Sequence, residues 1–302
     1  MSETTDILVA GGGIAGLTAA LHSARLGRNV LLVTGDVLGG HLLSIEQIDG
    51  FPGYPDGIAG FELCPITQGQ VVEAGAEVRA TEISGLSANC DRIDVSLADG
   101  EITAGAVVIA TGTSLKNLGI SGESELLGKG VSHCASCDAP LLRDKPVVVI
   151  GGGDSALQEA LTLADVASTV DIVHLGDAPI AQDDYRHRAE SNAKITFHAG
   201  RTVAEILGDD GVTGVRLDNG EELSAEGVFV FVGLVPNTEF LAGSVALDDE
   251  GFLLTEANLS TSVPGVFATG TVRAGAAGRA VAAAGDGALV ALSAHRYLSE
   301  RE

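Results

Sequence analysis

A glycine-rich loop between a β-rich run and a helical pattern occurs twice in this sequence and limits the folds that it can adopt. The first loop, residues 11–16, follows the apolar run 6–10 and precedes a helical pattern over residues 17–26. The second loop, residues 151–156, follows the run 146–150. The pattern G-x-G-x-x-G in this position is typical of a dinucleotide pyrophosphate site, because its glycines allow a tight turn and close approach of the pyrophosphate. A glycine motif by itself also occurs as a simple turn.

Apolar runs of strand length recur after each loop. Residues 29–34 and 106–110 follow the first loop, and residues 169–174 and 227–232 follow the second. Strands that alternate with helical patterns predict parallel sheets with helices between the strands. The sequence therefore predicts an α/β chain that contains two dinucleotide-binding folds.

Four shorter runs between the two loops predict an additional small sheet. They cover residues 76–80, 83–86, 92–97 and 101–103, and the turn at residues 98–100 favours a hairpin between the last two.

The remaining segments are loops, a second hairpin and a helix. Residues 39–55 are rich in Gly and Pro and predict a loop that wraps a ligand. A second hairpin is expected around residues 218–220, and residues 265–270 are typical of a strand that enters a tight turn. The Ala-rich residues 279–298 predict a terminal helix that can rejoin the first domain.

Two cysteines, Cys134 and Cys137, lie just before Asp138 and the second glycine loop. Thiols at this spacing can close a small disulfide ring, and the carboxylate can carry the protons that thiol exchange moves. Half of a zinc site is an alternative, but zinc takes four ligands and the other cysteines, Cys64 and Cys90, are solitary. A reduced pair buried as small hydrophobic residues is a second alternative. We expect a redox pair and no metal.

The charge balance is strongly acidic. The 302 residues carry 41 Asp and Glu against 17 Lys and Arg, a formal charge of −24. This charge repels nucleic acid and anionic membranes, and it favours solubility or a basic protein partner. No apolar run approaches the roughly 18–20 residues of a membrane span, and the first strand leaves no room for a signal peptide. We therefore expect a cytoplasmic protein with no nucleic-acid or membrane partner.

The order and spacing of the motifs resemble one protein family over essentially the whole chain. The segments that carry the resemblance are residues 11–16, 39–40, 50–53, 110–112, 134–138, 151–156, 236–238 and 265–270. They are similar to those of the low-molecular-weight thioredoxin reductases, which are FAD-dependent pyridine nucleotide-disulfide oxidoreductases. Larger disulfide reductases similar to glutathione reductase place their cysteines in the first domain and add a long dimerisation domain, and this chain has neither feature.

The resemblance implies two Rossmann-like dinucleotide-binding domains of three-layer ββα architecture, the second inserted in the first. An FAD-binding domain would comprise residues 1–115 and 246–302, and an inserted pyridine-nucleotide-type domain with the cysteine pair would comprise residues 116–245. Relatives are homodimers whose inserted domain swings, so that the flavin meets the nicotinamide in one pose and the cysteine pair in the other. We therefore expect a homodimer.

The resemblance also assigns site residues. Cys134 and Cys137 match the redox dithiol, with Cys137 facing the flavin, and Asp138 matches the proton carrier. The residues that match the FAD site are Gly11, Gly13, Ile14, Ala15, Gly16, Thr34, Gly35, Gly40, His41, Ala110, Thr111, Gly112, Gly270, Thr271, Arg279 and Ala280. The residues that match the second nucleotide loop are Gly151, Gly153, Asp154, Ser155 and Ala156.

Three residues of the FAD set depart from the family pattern. Thr271 stands in place of an Asp that holds the ribityl chain, which leaves a hydroxyl without a charge-assisted hydrogen bond. His41 and Ala280 each stand in place of a Gln where the isoalloxazine ring would lie. Because a histidine titrates near neutrality unless burial keeps it neutral, His41 can couple the flavin potential to pH. A loop histidine with no role is the alternative.

The residues that follow the run 169–174 also depart from the family pattern. Relatives that use NADPH have His-Arg-Arg here and a further Arg shortly after, because a 2′-phosphate needs forked, permanently charged donors. The matching residues in this chain are His174, Leu175, Gly176, Asp177 and Ile180. Asp177 repels a phosphate and can accept a hydrogen bond from a free ribose 2′-OH, which favours NADH. We expect NADPH not to be the preferred donor, although Arg186 and Arg188 lie nearby in sequence.

Three functions are compatible with these residues. The first is an FAD-dependent reductase that passes electrons through the cysteine pair to a protein disulfide of the thioredoxin type, with NADH, ferredoxin or a dithiol as the electron source. The second is a dithiol oxidase that forms a disulfide in a small molecule and uses oxygen as the acceptor. The third is a flavoprotein that acts as a binding or sensing module. The retained cysteine pair and Asp138 favour the first two, since thiol exchange requires them.

Overall fold

The computed structural model describes residues 3–89, 92–241 and 243–302, so Cys90 lies outside the described residues. The chain forms two compact units. Unit 1 comprises the chain up to Ser114 together with Val235–Glu302, and unit 2 is Leu115–Leu234. The second boundary lies before residue 235 rather than at the expected residue 246, because Leu241 and Val245 are buried in the apolar core of unit 1.

Strands and helices alternate as an α/β fold requires. In chain order the strands are β1 Glu3–Ala10, β2 Val30–Val33, β3 Glu77–Arg79, β4 Ile83–Ala88, β5 Ile93–Leu97, β6 Gly100–Ile109, β7 Thr113–Leu115, β8 Val131–Ser132, β9 Pro146–Ile150, β10 Thr169–His174, β11 Ile195–Ala199, β12 Val203–Gly208, β13 Val212–Leu217, β14 Glu222–Ser224, β15 Gly227–Val230, β16 Leu234–Pro236 and β17 Val266–Ala268. The α-helices are α1 Ile14–Arg25, α2 Gly60–Glu73, α3 Ala135–Asp138, α4 Asp154–Ala164, α5 Asp183–Glu190 and α6 Ala280–Ser299. Short 3₁₀ turns cover Gly40–Ser44, Ala139–Leu142, Glu239–Leu241 and Gly270–Val272.

A seven-stranded sheet forms the centre of unit 1. Its order is β3-β2-β1-β6-β5-β4, and β17 pairs with β6. β1, β2, β3, β6 and β17 are parallel, whereas β4, β5 and β6 pair in antiparallel fashion. The parallel strands are apolar without alternation, and Ile7, Leu8 and Val9 have no exposed surface, because both faces of the sheet are covered.

The expected separate small sheet does not form. Residues 101–103 and 106–110, expected as two strands, belong to the single long strand β6 up to Ile109. β6 pairs with β1 from Glu3 to Ala10, and a Cβ atom on Gly105 would lie 3.0 Å from the Asp6 carbonyl oxygen. The hairpin β5–β6 therefore extends the main sheet, and β3 pairs with β2.

Unit 2 contains a second parallel sheet and a hairpin. The parallel sheet has the order β11-β10-β9-β15-β8, and α4 connects β9 to β10. The hairpin expected around residues 218–220 forms between β13 and β14 and is extended by β12. Strands β9, β10 and β15 contribute buried residues to two apolar clusters in this unit.

The terminal helix α6 packs on α1 within unit 1. A Cβ atom on Gly287 would fall 2.4 Å from the Ala15 carbonyl oxygen, so only glycine allows this approach of the two helices. The C-terminal helix therefore lies in unit 1, in the same unit as the first glycine loop. None of the helices that the structure describes is both long and apolar enough to cross a membrane.

Candidate functional site

The carboxyl ends of four parallel strands meet at one edge of the unit 1 sheet. The Gly11 amide donates to the Val33 carbonyl at 2.7 Å, the Ala110 amide to the Ala10 carbonyl at 2.7 Å, and the Thr269 amide to Ile109 at 2.9 Å. In open α/β sheets ligands bind outside these strand ends. The loops after β1, β2, β6 and β17 therefore form one candidate site.

The first glycine loop fits a pyrophosphate. A Cβ atom on Gly11, whose φ is +122°, would fall 2.1 Å from the Ala110 carbonyl oxygen. A Cβ atom on Gly13 would meet no atom within 4 Å. Gly13 precedes α1, so the loop places open space next to the unpaired amides of a helix N-terminus, where phosphate oxygens bind.

The other expected FAD residues lie around this loop. The Gly39 amide donates to the Gly12 carbonyl at 2.9 Å, which brings the turn with Gly40 and His41 to the loop. A Cβ atom on Gly270 would lie 2.8 Å from the Ala15 Cβ. The structure thus brings together Gly11, Gly13, Ile14, Ala15, Gly16, Thr34, Gly35, Gly40, His41, Ala110, Thr111, Gly112, Gly270 and Thr271.

The start of α6 lies near the first glycine loop. Ala280 packs in an apolar cluster with Ile14, Ile58 and Leu63. Arg279 is the N-cap of α6 and is exposed, and its carbonyl accepts from the Ala283 amide at 2.9 Å. Both residues of the expected set are therefore within unit 1 and adjacent to the loop.

Asn237 holds the loop after β6. Its Nδ2 donates to the Thr111 carbonyl at 2.9 Å, and the Thr111 hydroxyl donates to the Asn237 carbonyl at 2.8 Å. The neighbouring hydroxyls of Thr113 and Thr271 are 3.3 Å apart. Thr271 is half-buried, so a polar but uncharged group occupies the position of the family's Asp.

His41 is solvent-exposed in the 3₁₀ turn Gly40–Ser44. The protein around it partly desolvates the imidazole, which lowers its pKa from the ordinary value. The neutral form is therefore favoured in the folded chain at neutral pH.

The second glycine loop has the same geometry as the first. A Cβ atom on Gly151, whose φ is +138°, would fall 2.2 Å from the Phe231 carbonyl oxygen, and one on Gly153 would meet no atom within 4 Å. Gly153 precedes α4, with Asp154, Ser155 and Ala156 in its first turn. The loop can therefore hold a second pyrophosphate.

Beside this loop, the Asp154 carboxylate accepts two hydrogen bonds from Gln182. Asp154 accepts from the Gln182 backbone amide at 2.7 Å and from the Gln182 side chain at 3.2 Å. It fixes the start of the segment that leads into α5.

Residues 175–182, which follow β10, contain no arginine, but Arg201 lies beside this corner, since its amide donates to the His174 carbonyl at 3.1 Å. His174 is buried against Phe197, and desolvation lowers its pKa. Leu175 and Ile180 are 78% and 91% exposed.

The two arginines of α5 face carboxylates of their own helix. Arg186 Nη1 lies 3.2 Å from Asp183 Oδ1, and Arg188 Nη1 lies 3.4 Å from Asp184 Oδ2. Neither ion pair points to a phosphate-binding role.

Cys134 and Cys137 form a disulfide with 5.3 Å between their Cα atoms. Cys134 caps α3, and its sulfur accepts from the Cys137 amide at 3.2 Å. Cys134 is half-buried and Cys137 is exposed. Asp138 is half-buried, and its amide donates to the Cys134 carbonyl at 3.3 Å. Cys137 is thus the more solvent-exposed residue of the disulfide.

The remaining described cysteine does not take part. Cys64 has no exposed surface, and burial raises its pKa to about 11, which keeps it a protonated thiol. Among residues 3–89, 92–241 and 243–302, no group of three or more His, Cys, Asp or Glu could hold a metal ion.

Two residues with no role in the sequence analysis touch the cysteine turn. Ser132 Oγ accepts from the Cys134 amide at 3.1 Å and donates to the Cys134 carbonyl at 3.3 Å. Glu159 is buried on α4 beside α3. An acidic residue on the otherwise apolar face of a helix is the signal that could have found it.

Residues 5–287 match the pyridine nucleotide-disulphide oxidoreductase family. The chain belongs to this family. It is similar to thioredoxin reductase of Treponema pallidum, 36% identical with 99% of this chain and 98% of the relative covered. It is also similar to that of Mycolicibacterium smegmatis, 37% identical with 98% and 97% covered. The crystal structure of Lactococcus lactis thioredoxin reductase superposes with a TM-score of 0.94 at 35% identity and covers 98% of this chain and 99% of that one.

Family membership confirms the expected fold and class of activity. The chain has two Rossmann-like domains and is a thioredoxin-reductase-like, FAD-dependent thiol–disulfide oxidoreductase. The individual roles of the site residues stay predictions.

Proposed function

We propose that this flavoenzyme reduces a protein disulfide of the thioredoxin type through Cys134 and Cys137. The observation that carries the proposal is the Cys134–Cys137 disulfide, exposed at Cys137, in the unit with the second glycine loop. The unit 1 loop residues would hold FAD, which when bound supplies two-electron transfer between a donor and the disulfide. The enzyme would be a cytoplasmic homodimer.

The thiol steps follow from the pair itself. Because the resemblance assigns Cys137 to the flavin, the Cys134 thiolate would attack one sulfur of the substrate disulfide after reduction, which forms a mixed disulfide and releases one substrate thiolate. The Cys137 thiolate then attacks Cys134, which restores the Cys134–Cys137 bond and releases the second substrate thiolate. Asp138, next to Cys137 in the chain, supplies the protons that the leaving thiolates take up.

NADPH is not the preferred donor in this proposal. At the positions where NADPH-using relatives have arginines, the 2′-phosphate would meet Leu175, Ile180 and the exposed carboxylate of Asp177. Each missing charge-assisted contact forfeits about 1.5–3 kcal/mol. Asp177 suits the free ribose 2′-OH of NADH. Ferredoxin or a dithiol is the alternative electron source.

A dithiol oxidase is the second candidate, and the same corner favours it. An enzyme that takes electrons from a small dithiol and passes them to oxygen needs no nicotinamide contacts. The third candidate role is a flavin-binding sensor. The cysteine pair argues against it, since such a module needs no thiol exchange.

Turnover assays separate these functions. Under anaerobic conditions, purified enzyme with oxidised thioredoxin is supplied in turn with NADH, NADPH and reduced ferredoxin. Disulfide reduction that is faster with NADH or ferredoxin than with NADPH supports the proposal. In a separate aerobic assay, oxygen consumption with a dithiol alone, together with no disulfide reduction by any donor, supports the oxidase and contradicts the reductase.

A further inference from the structure

Glu159 is a buried carboxylate on α4. Its exposure is 8%, and its neighbours on the same face, Ala156, Ala160 and Leu163, are fully buried. Burial of an acidic side chain is unfavourable unless hydrogen bonds satisfy its oxygens. A carboxylate at this position therefore has a partner that compensates for its desolvation.

The partner is the backbone of the cysteine turn. The Ala135 amide donates to Glu159 Oε2 at 2.9 Å, and Ala135 has no exposed surface. Ala135 follows Cys134 directly in the chain and opens α3, which packs against α4. The carboxylate is thus attached to the residue next to one sulfur of the disulfide.

Ser132 holds the same turn from the other side. Its exposure is 8%, and its hydroxyl bonds both the amide and the carbonyl of Cys134. The Cys134 half of the turn is therefore fixed by two buried polar side chains, whereas Cys137 is exposed. Ser132 is neutral, whereas Glu159 brings a negative charge to the turn when its carboxyl group is ionised.

A negative charge in this position affects the reduced cysteine pair but not the disulfide. The disulfide is neutral, but the reduced pair releases protons and becomes a thiolate as the pH rises. A nearby carboxylate disfavours that second negative charge. Since a stabilised thiolate makes a dithiol pair more oxidising, a disfavoured thiolate makes it a stronger reductant.

We propose that Glu159 is a positioning residue that holds the dithiol turn through Ala135 and, by its charge, disfavours thiolate formation in the reduced pair. This inference rests on the proposed function, because it concerns the potential of the Cys134–Cys137 couple. A more strongly reducing pair is suited to delivering electrons to a substrate disulfide.

Other ionisable groups surround the turn and must stay constant in a test. His133 and Asp138 lie beside the cysteines, whereas Tyr185 and Arg186 on α5 and Asp171 and His174 on β10 lie on elements that pack against α4. Glu159→Gln leaves all of them in place. The Gln side chain is nearly isosteric, and its amide oxygen still accepts from the Ala135 amide. The variant thus removes the charge and keeps the contact.

The matched control is Glu190→Gln. Glu190 is exposed on α5 in the same unit. This variant makes the same change in net charge away from the turn. Glu159→Asp, which keeps the charge in a shorter side chain, is the second variant and separates charge from packing.

The experiment equilibrates each holoenzyme with glutathione and glutathione disulfide without oxygen, between about pH 6 and pH 9. Two glutathione thiols reduce the Cys134–Cys137 bond and become one disulfide, so two electrons and two protons enter the pair. The reduced fraction is read by thiol alkylation after an acid quench and mass spectrometry. The equilibrium constant then gives the potential at each pH, and about 30 mV corresponds to a tenfold change.

We expect Glu159→Gln to match the parent within about threefold near pH 6, where both thiols are protonated. Near pH 9 it should favour the dithiol by about tenfold, the effect of one pKa unit on one thiol. Glu190→Gln and Glu159→Asp should follow the parent at each pH.

Two results would overturn the inference while leaving the proposed function intact. One is a folded Glu159→Gln enzyme that follows the parent at every pH. The other is an equal shift in Glu159→Asp or Glu190→Gln, which would assign the effect to packing or to net charge. If Glu159→Gln does not fold, a Glu159→Asp profile that departs from the parent at any pH would also overturn the inference. A pair that neither glutathione nor a stronger dithiol reductant can reduce at any pH would instead contradict the proposed function, and this inference with it.

Discussion

A Cβ atom on Gly11 would fall 2.1 Å from the carbonyl oxygen of Ala110. A Cβ atom on Gly13, two residues later, would meet no atom within 4 Å, and any residue can adopt its φ of −73°. The loop therefore contains one glycine that the fold requires and one whose missing side chain leaves room for a ligand.

This difference predicts opposite results for two alanine variants. Gly11→Ala should lower the free energy of unfolding by about 2 kcal/mol or more, because it combines a backbone clash with a strained φ. Gly13→Ala should change stability by less than about 0.5 kcal/mol and weaken FAD binding at least tenfold. Urea unfolding and FAD titration of both proteins provide the measurements. A Gly13→Ala protein with parental FAD affinity would show that the pyrophosphate does not lie here.

With Thr271 at this position, we expect the protein to bind FAD less tightly than it would with an aspartate there. Thr271→Asp should lower the FAD dissociation constant about tenfold, because a charge-assisted hydrogen bond adds about 1.5 kcal/mol over a neutral one. Thr271→Asn is the matched control, since it has the shape without the charge, and it should stay near the parent. Equal affinity of the Asp and Thr proteins would remove this residue from the FAD site.

His41 predicts a loss of stability in acid. Desolvation lowers its pKa in the folded chain, so the unfolded chain binds the proton more tightly. Stability should therefore fall as the pH drops from about 6.5, the ordinary histidine value, through the lower folded value. His41→Gln should remove part of this loss, because His22 and His174, whose pKa values are also lowered, remain.

Two measurements check the His41 prediction. Urea midpoints at about pH 7.5 and pH 5.5 compare the parent with His41→Gln, and His187→Gln, at an exposed histidine of α5, should follow the parent. The pH dependence of the flavin potential is the second measurement. If His41→Gln leaves both unchanged, the residue is a loop histidine without a role.

The nicotinamide corner predicts that arginines would create NADPH preference. Leu175 and Ile180 are exposed, so Leu175→Arg with Ile180→Arg should fold normally. Two charge-assisted contacts of about 1.5 kcal/mol each should raise NADPH affinity about 100-fold. Stopped-flow reduction of the flavin by NADPH and NADH measures this, with Leu175→Gln and Ile180→Gln as the uncharged control. Fast reduction of the parent by micromolar NADPH, with preference over NADH, would contradict the donor proposal.

Local signals in the sequence predicted most of the fold. The two glycine loops and the apolar runs that became β1, β9, β10 and β15 depend on neighbours in the chain, so their patterns are readable. Sequence reasoning does not find helix α2, because Pro65 and Gly69 interrupt its pattern. The full length of β6 was hidden because its pairing with β1 is a contact between distant segments.

The site was predicted less completely for the same reason. Cys134, Cys137 and Asp138 form a local motif, whereas Glu159 reaches Ala135 from 24 residues away. The unit boundary at residue 235 likewise depends on where Leu241 and Val245 are buried, which no local pattern encodes.

The most direct test of the central claim is anaerobic addition of a dithiol to the purified flavoenzyme and to its Cys134→Ser and Cys137→Ser variants. If the pair exchanges electrons with the flavin, the parent should lose its visible flavin absorbance. Both variants should retain bound FAD and keep that absorbance, because the expected FAD residues lie in unit 1 and the cysteines in unit 2. Variants that bleach as fully as the parent would contradict the account, and variants that merely lose stability would indicate that the cysteines are structural.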